Sequence, residues 1–227
     1  MSEATPKLSA QTEALAAHID RLVRSIARRW LLVFNLLVAL YLAVPVAAPF
    51  LMHSGHTSAG QLVYLIFRPQ CHQLPERSLF LFGEKTIYSL EELDAAGVLP
   101  GTTLDKRRMF VGNERFGYKI AFCERDVATW GAILLAGLMF GLTGRRWRPL
   151  PLWGYVLFLI PLAVDGITQL LGLRESTWAL RTLSGALFGL ATTWLAYPYV
   201  EQAMAGVLHD SRKQARQRVR SDLDEST

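Results

Sequence analysis

Apolar residues fall in long blocks along the chain, and the period inside each block differs. From Leu15 onward, Leu15, Ile19, Leu22, Val23, Ile26 and Trp30 recur at helical spacing, with Arg21, Arg24, Arg28 and Arg29 filling the rest of that surface. This pattern predicts an amphipathic helix that lies on a membrane or leads into a first span. Leu31 to Met52 carries no charge and is long enough for the roughly 20 residues a ~30 Å hydrocarbon core requires. Asn35, Pro45 and Pro49 interrupt it and predict a kink near its far end. Residues 1–8 are polar and are expected to lack regular structure. The apolar block begins too late, and without a clean small-residue cleavage site, for a removable signal peptide.

Gly60 to Phe67 is apolar but too short to cross, and reads as a re-entrant or interfacial turn. Residues 84–119 form a polar excursion. Within it Ser89-Leu-Glu-Glu92 has the capping-box pattern, so a short helix should run from about Leu90 to near Gly97, with a turn at Pro100-Gly101. Val127 to Leu142 is the second predicted span, Leu152 to Leu173 the third, with Pro161, Asp165 and Gln169 inside it, and Trp178 to Val200 the fourth, with Arg181 near its start. Gly137 and Gly141 on the second span, and Gly185 and Gly189 on the fourth, allow a neighbouring backbone to come close. Those faces could serve a second copy or another membrane subunit. There are no internal repeats. The expected fold is all-α: a polytopic membrane protein, a four-transmembrane-helix bundle with a long extracytoplasmic excursion between spans 1 and 2. Residues 1–30 form a cytoplasmic amphipathic segment, 31–200 the membrane domain with its outer loop 53–126, and 201–227 a basic cytoplasmic tail.

Charge refines this picture. The 227 residues carry a net +5, which by itself would admit nucleic acid as a partner. The arginines instead sit beside the apolar blocks, which suits orientation in a bilayer, so the partner is lipid and not nucleic acid. Arg21, Arg24, Arg28 and Arg29, then Arg145, Arg146 and Arg148, then the tail Arg212-Lys213 with Arg216, Arg218 and Arg220, place three segments inside. Both termini are therefore expected in the cytoplasm of a multi-pass protein of the plasma membrane. The loop 53–126 then lies outside, although it holds nine Lys or Arg residues, because long loops are poorly governed by the rule.

The chemistry gathers at Arg68-Pro-Gln-Cys71-His72-Gln73 and at Cys123-Glu-Arg-Asp126, which hold both cysteines of the chain. Cys71, His72, Cys123 and Asp126 offer thiolate, imidazole and carboxylate, the usual ligand types of tetrahedral zinc, though at no standard zinc spacing. A Cys71–Cys123 disulfide closing the excursion, or two unlinked buried thiols, fit the same residues. Asp165 is a carboxylate at membrane depth, costing ~2.5–3.5 kcal/mol if unpaired on insertion scales, and needs a partner. Arg181 on the next span is within reach, so an Asp165–Arg181 pair is expected, with Gln169 one turn further on the same face. The pair either locks two spans together or floors a pocket. Arg77 and Arg125 could recognise an anion, but pairing with Glu76, Glu124 or Asp126 is the expectation.

Taken together, Cys71-His-Gln-x-Pro75-x-Arg77-Ser78, Phe122-Cys123-x-Arg125-Asp126, Asp165-Gly166-x-Thr168-Gln169 and Arg181-x-x-x-Gly185 resemble the prokaryotic membrane proteins grouped as domain of unknown function 2085, over roughly Tyr64 to Ala196. Where relatives carry Cys-x-Arg-Cys, this chain has Asp126, which keeps a possible ligand but weakens the case for redox exchange. The resemblance implies no activity. Three functions fit: a membrane enzyme or metalloprotein with Cys71, His72, Cys123 and Asp126 as rim and Asp165, Gln169, Arg181 and Arg125 as candidate catalytic groups; a scaffold held by a disulfide; and, last, a quinone-linked thiol oxidoreductase, which lacks the Cys-x-x-Cys that exchange normally uses. Transport is disfavoured, since four spans without a repeat offer little alternating-access machinery.

Overall fold

A computed structural model describes residues 5–225. The amphipathic segment and the first span form one unbroken helix, α1 (Thr5–His53), with Pro45 and Pro49 inside it. Helix begins at Thr5, within the stretch expected to be irregular; residues 1–4 lie outside the described residues. One stripe of α1 is buried, through Ala27, Trp30, Leu31, Asn35 and Val38, while Leu32, Leu36, Leu37 and Leu40 are more than half exposed. A soluble helix would not leave such a face in water. Among the described residues three helices are long and apolar enough to cross a bilayer: Ala14–His53 of α1, α5 (Glu124–Leu142) and α6 (Leu152–Leu170).

The fourth expected span opens α7 (Trp178–Glu225), which continues without a break into the basic tail. It falls short of the apolar character of those three helices, and it packs against α5, α6 and α1. Arg181, Ser184, Ala191 and Thr193 are all buried on it. The glycine spacing is used within this chain. A Cβ at Gly185 would stand 2.5 Å from the Arg125 carbonyl oxygen, and one at Gly189 would stand 2.3 Å from that of Thr129, so α5 and α7 touch along their backbones. Gly137 lies against Asn35 of α1 and Tyr197 of α7, and Gly141 against Leu31. These faces are thus occupied by the chain's own helices.

The excursion is not all-helical, which corrects the expected all-α class. After α2 (Thr57–Phe67) and a 3-10 turn at Pro75–Arg77 come β1 (Ser78–Leu81), α3 (Leu90–Ala95), α4 (Leu104–Arg107), β2 (Gly112–Asn113) and β3 (Gly117–Cys123). The strands form one antiparallel sheet in the order β1-β3-β2, with Ser78 opposite Cys123. Strands of four and two residues carry too little period-2 signal to be read from sequence, and β3 is buried along most of its length, so it does not alternate. The expected capping box is present: Ser89 Oγ accepts from the Glu92 N–H at 3.1 Å, and Glu92 Oε2 accepts from the Ser89 N–H at 2.9 Å. Gly97 ends that helix with φ +64°. Phe80, Tyr88, Leu93 and Phe116 form the core of the excursion. Met52, Tyr64, Phe67, Ile120 and Phe122 join it to the top of α1 and α2.

Candidate functional site

β3 delivers Cys123 straight onto the N-terminus of α5, where it is the cap residue. Cys71 arrives from the other side, on the turn after α2, its N–H donating to the Phe67 carbonyl at 3.1 Å. The turn is fixed to the sheet by two groups. Gln73, in the left-handed region at φ +53°, donates through Nε2 to the carbonyls of Tyr64 (2.9 Å) and Ala121 (3.1 Å). Lys119, wholly buried on β3, donates through Nζ to the carbonyls of Gln73 (2.6 Å) and Arg108 (2.8 Å). Burial lowers the Lys119 ammonium pKa to about 7. Sequence reasoning named Gln73 only as part of the cysteine segment and did not single out Lys119, although a lysine beside the apolar run Ile-Ala-Phe-Cys was a visible signal.

So held, the Cys123 N–H donates to Cys71 Sγ at 3.2 Å, and the Cys123 thiol donates to Asp126 Oδ2 at 3.1 Å. One ligating atom from each of Cys71, Cys123 and Asp126 lies within 4.8 Å of the others. Both thiols are free. The Cys71 sulfur, then burial, push the Cys123 thiol well above the usual thiol range. His72 is exposed and stands outside this trio, on the wall of the same cavity.

That cavity, about 250 Å³, is lined by Cys71, His72, Cys123 and Asp126 together with Arg77, Arg125, Gln169 and Arg181. A larger hollow of about 510 Å³ lies beyond Gln73, between α2 and residues 108–111, and holds none of the cysteine cluster.

The expected Asp165–Arg181 pair does not form. Asp165, fully buried on α6, accepts from the Arg125 guanidinium, from Arg174 Nη2 at 2.8 Å and from Ser176 Oγ at 2.8 Å. The chain folds back after α6, so Arg174 and Ser176 cover the carboxylate first. Arg181 turns instead to α5, donating to Glu124 Oε2 at 3.0 Å and to the carbonyls of Glu76 (3.3 Å) and Ser176. Adjacent residues of α5 thus serve different helices, Glu124 holding α7 and Arg125 holding α6. The expected local pairing of Arg77 and Arg125 with Glu76, Glu124 or Asp126 is also replaced. Glu76 pairs with Arg107 at 2.8 Å, while Arg77 meets Glu175 at 3.4 Å and, with the Gln169 amide oxygen turned toward it, Gln169 at 2.6 Å. Asp165 itself stands behind Arg125, off the cavity wall.

Apolar helices with lipid-type faces, joined to a small sheet that carries a cysteine–carboxylate cluster, define a helical membrane protein with a polar site at one end of its bundle. The family described as "Predicted membrane protein (DUF2085)" matches residues 106–195, and it is the family that the motifs resemble. The match takes in Cys123, Asp126, Asp165 and Arg181, while Cys71 lies before it. The chain is similar to the uncharacterized protein MJ1492 of Methanocaldococcus jannaschii, 26% identical over 176 residues that cover 74% of this chain and 90% of that one. No solved structure matches it.

Proposed function

We propose that the protein is a four-span plasma-membrane metalloprotein that binds zinc through Cys71, Cys123 and Asp126 at its outer face. The observation that carries this reading is the convergence of two sulfurs and a carboxylate oxygen within 4.8 Å. With zinc bonds of ~2.0–2.3 Å, tetrahedral ligands stand about 3.3–3.8 Å apart, so a contraction of about 1 Å closes the set. The Cys123 N–H already donates to Cys71 Sγ, as outer partners of metal thiolates do. His72 lines the same cavity outside the trio and would have to move in to become the fourth ligand; without it, a three-ligand site keeps the open position typical of catalytic zinc, where the metal supplies Lewis acidity.

The topology belongs to this reading: both termini in the cytoplasm, segments 1–30 and 201–227 there, and loop 53–126 outside. The arginine asymmetry around the apolar blocks supports it. The fourth span is the first part of α7, whose polar residues face other helices. Reporter fusions near Gly97 and after Thr227 test the orientation, and a cytoplasmic signal from Gly97 overturns it.

Metal analysis and thiol counting on one detergent-purified sample test the site. About one zinc per chain, with both thiols titrating only after chelation, is the expected result, lost in Cys71→Ser, Cys123→Ser and Asp126→Asn. No metal and no titratable thiol would establish the scaffold disulfide instead. Two freely titrating thiols without metal would exclude both.

A further inference from the structure

The structure assigns a second ligand to this cavity: we infer that the arginines lining it beside the cysteine cluster bind a phosphate-bearing group. This deepens the metal reading by naming what the same cavity takes, but it stands on different residues. Three arginines, from the turn before β1 (Arg77), from α5 (Arg125) and from α7 (Arg181), line one space of about 250 Å³. The carboxylates that balance two of them, Asp165 and Glu124, lie behind those arginines and off the wall. Among the described residues the wall has one carboxylate, Asp126, and it is engaged by the Cys123 thiol.

Arg77 has the weakest internal claim on its charge. Its acidic partner Glu175 is 3.4 Å away with a side chain 79% exposed, a contact that water and salt largely screen. Its other partner, Gln169, is neutral.

The number of donors selects the ligand class. A carboxylate has two oxygens and about four lone-pair sites, which one or two arginine forks saturate. Arg77, Arg125 and Arg181 all line this space, so a phosphate monoester with three strongly accepting oxygens uses their charge more fully than a carboxylate does. Two sources share this chemistry, a soluble phosphate monoester and a lipid whose headgroup is one, phosphatidic acid. The cavity is at the end of a membrane bundle, where either can enter.

The test uses the full-length, zinc-loaded protein in uncharged detergent, titrated calorimetrically with inorganic phosphate and with acetate at fixed ionic strength. Saturable phosphate binding at one site per chain is expected, with acetate at least about tenfold weaker. Arg77→Gln should weaken phosphate about tenfold or more while zinc content and thiol count stay as in the parent; Arg77→Lys, which keeps the charge but loses the fork, should fall between. Absence of saturable phosphate binding, equal binding of acetate, or Arg77→Gln binding like the parent overturns the inference. Repeating the titration in phosphatidic acid nanodiscs identifies the source: competition by the lipid assigns the headgroup, and unchanged binding assigns a soluble ester. Phosphate binding by protein that never holds zinc would remove the metal reading and keep this one, and zinc binding without phosphate would do the reverse.

Discussion

Asp165 meets Arg125, not Arg181, and this one relationship sets the inner architecture of the bundle. The carboxylate at the end of α6 holds the first turn of α5, which carries Cys123 as its cap and Asp126 one turn in. Arg174 and Ser176, from the connection after α6, close over it. The cysteine cluster is therefore positioned by a buried ion pair whose arginine lines the cavity and whose carboxylate lies off it.

Asp165→Asn should destabilise the protein by ~3–5 kcal/mol, since it leaves two arginine contacts without their counter-charge. Double-mutant cycles of Asp165→Asn in detergent unfolding should give a larger coupling with Arg125→Leu than with Arg181→Leu, on a scale of ~0.5–3 kcal/mol. A coupling to Arg181 as large as that to Arg125 would refute the pairing.

The α5–α7 contact should be intolerant of a single methyl group. Gly189→Ala drives a Cβ into the Thr129 backbone and is expected to cost ~1–3 kcal/mol. Gly131→Ala, on α5 but with open space around it, should be neutral or stabilise by up to ~1 kcal/mol. Thermal unfolding of the two variants side by side is the measurement, and equal effects would mean that the backbones are not in contact.

Lys119 gives the fold a pH dependence of definite sign. Its pKa is lowered from 10.5 to about 7 on folding, so between those values the unfolded chain binds more protons than the folded one. Its contribution to stability therefore rises with pH across that window, and the penalty is complete below about 7. Lys119→Met should flatten the rise in denaturant midpoint between pH 7 and the alkaline limit. A parent protein with no such rise, or a variant that keeps it, contradicts the neutral buried amine.

Cys123 should report both sidedness and metal. In intact cells, a membrane-impermeant maleimide is expected to label Cys123 in the Cys71→Ser background, where the cluster is incomplete, and to label the parent only after chelation. Labelling that requires permeabilised cells would place the cluster on the cytoplasmic side and invert the proposed orientation.

The sequence by itself determined the membrane character, the positions of the long helices, the capped helix at Leu90 and the two segments that carry the cysteines. Each is a local property: hydrophobic runs, a four-residue cap pattern and adjacent ligand types are visible within one turn or one span. Its helix starts at Leu152 and Trp178 coincide with those of α6 and α7, because the flanking Pro151 and the Thr177 side chain act at those ends. Only the tertiary structure decided which charge meets which. Arg181, Arg125 and Arg174 are all near enough along the chain to reach a carboxylate of a neighbouring span, and the choice among them is made by the path of the connection 171–177 and by the backbone contact of α5 with α7. The sheet was hidden for the same reason. β1 exists because β3, some forty residues later, pairs with it, and that pairing places Ser78 opposite Cys123 and brings Arg77 to the cavity. Long-range pairing leaves no periodicity in either partner's sequence, so it appears only when the chain is folded.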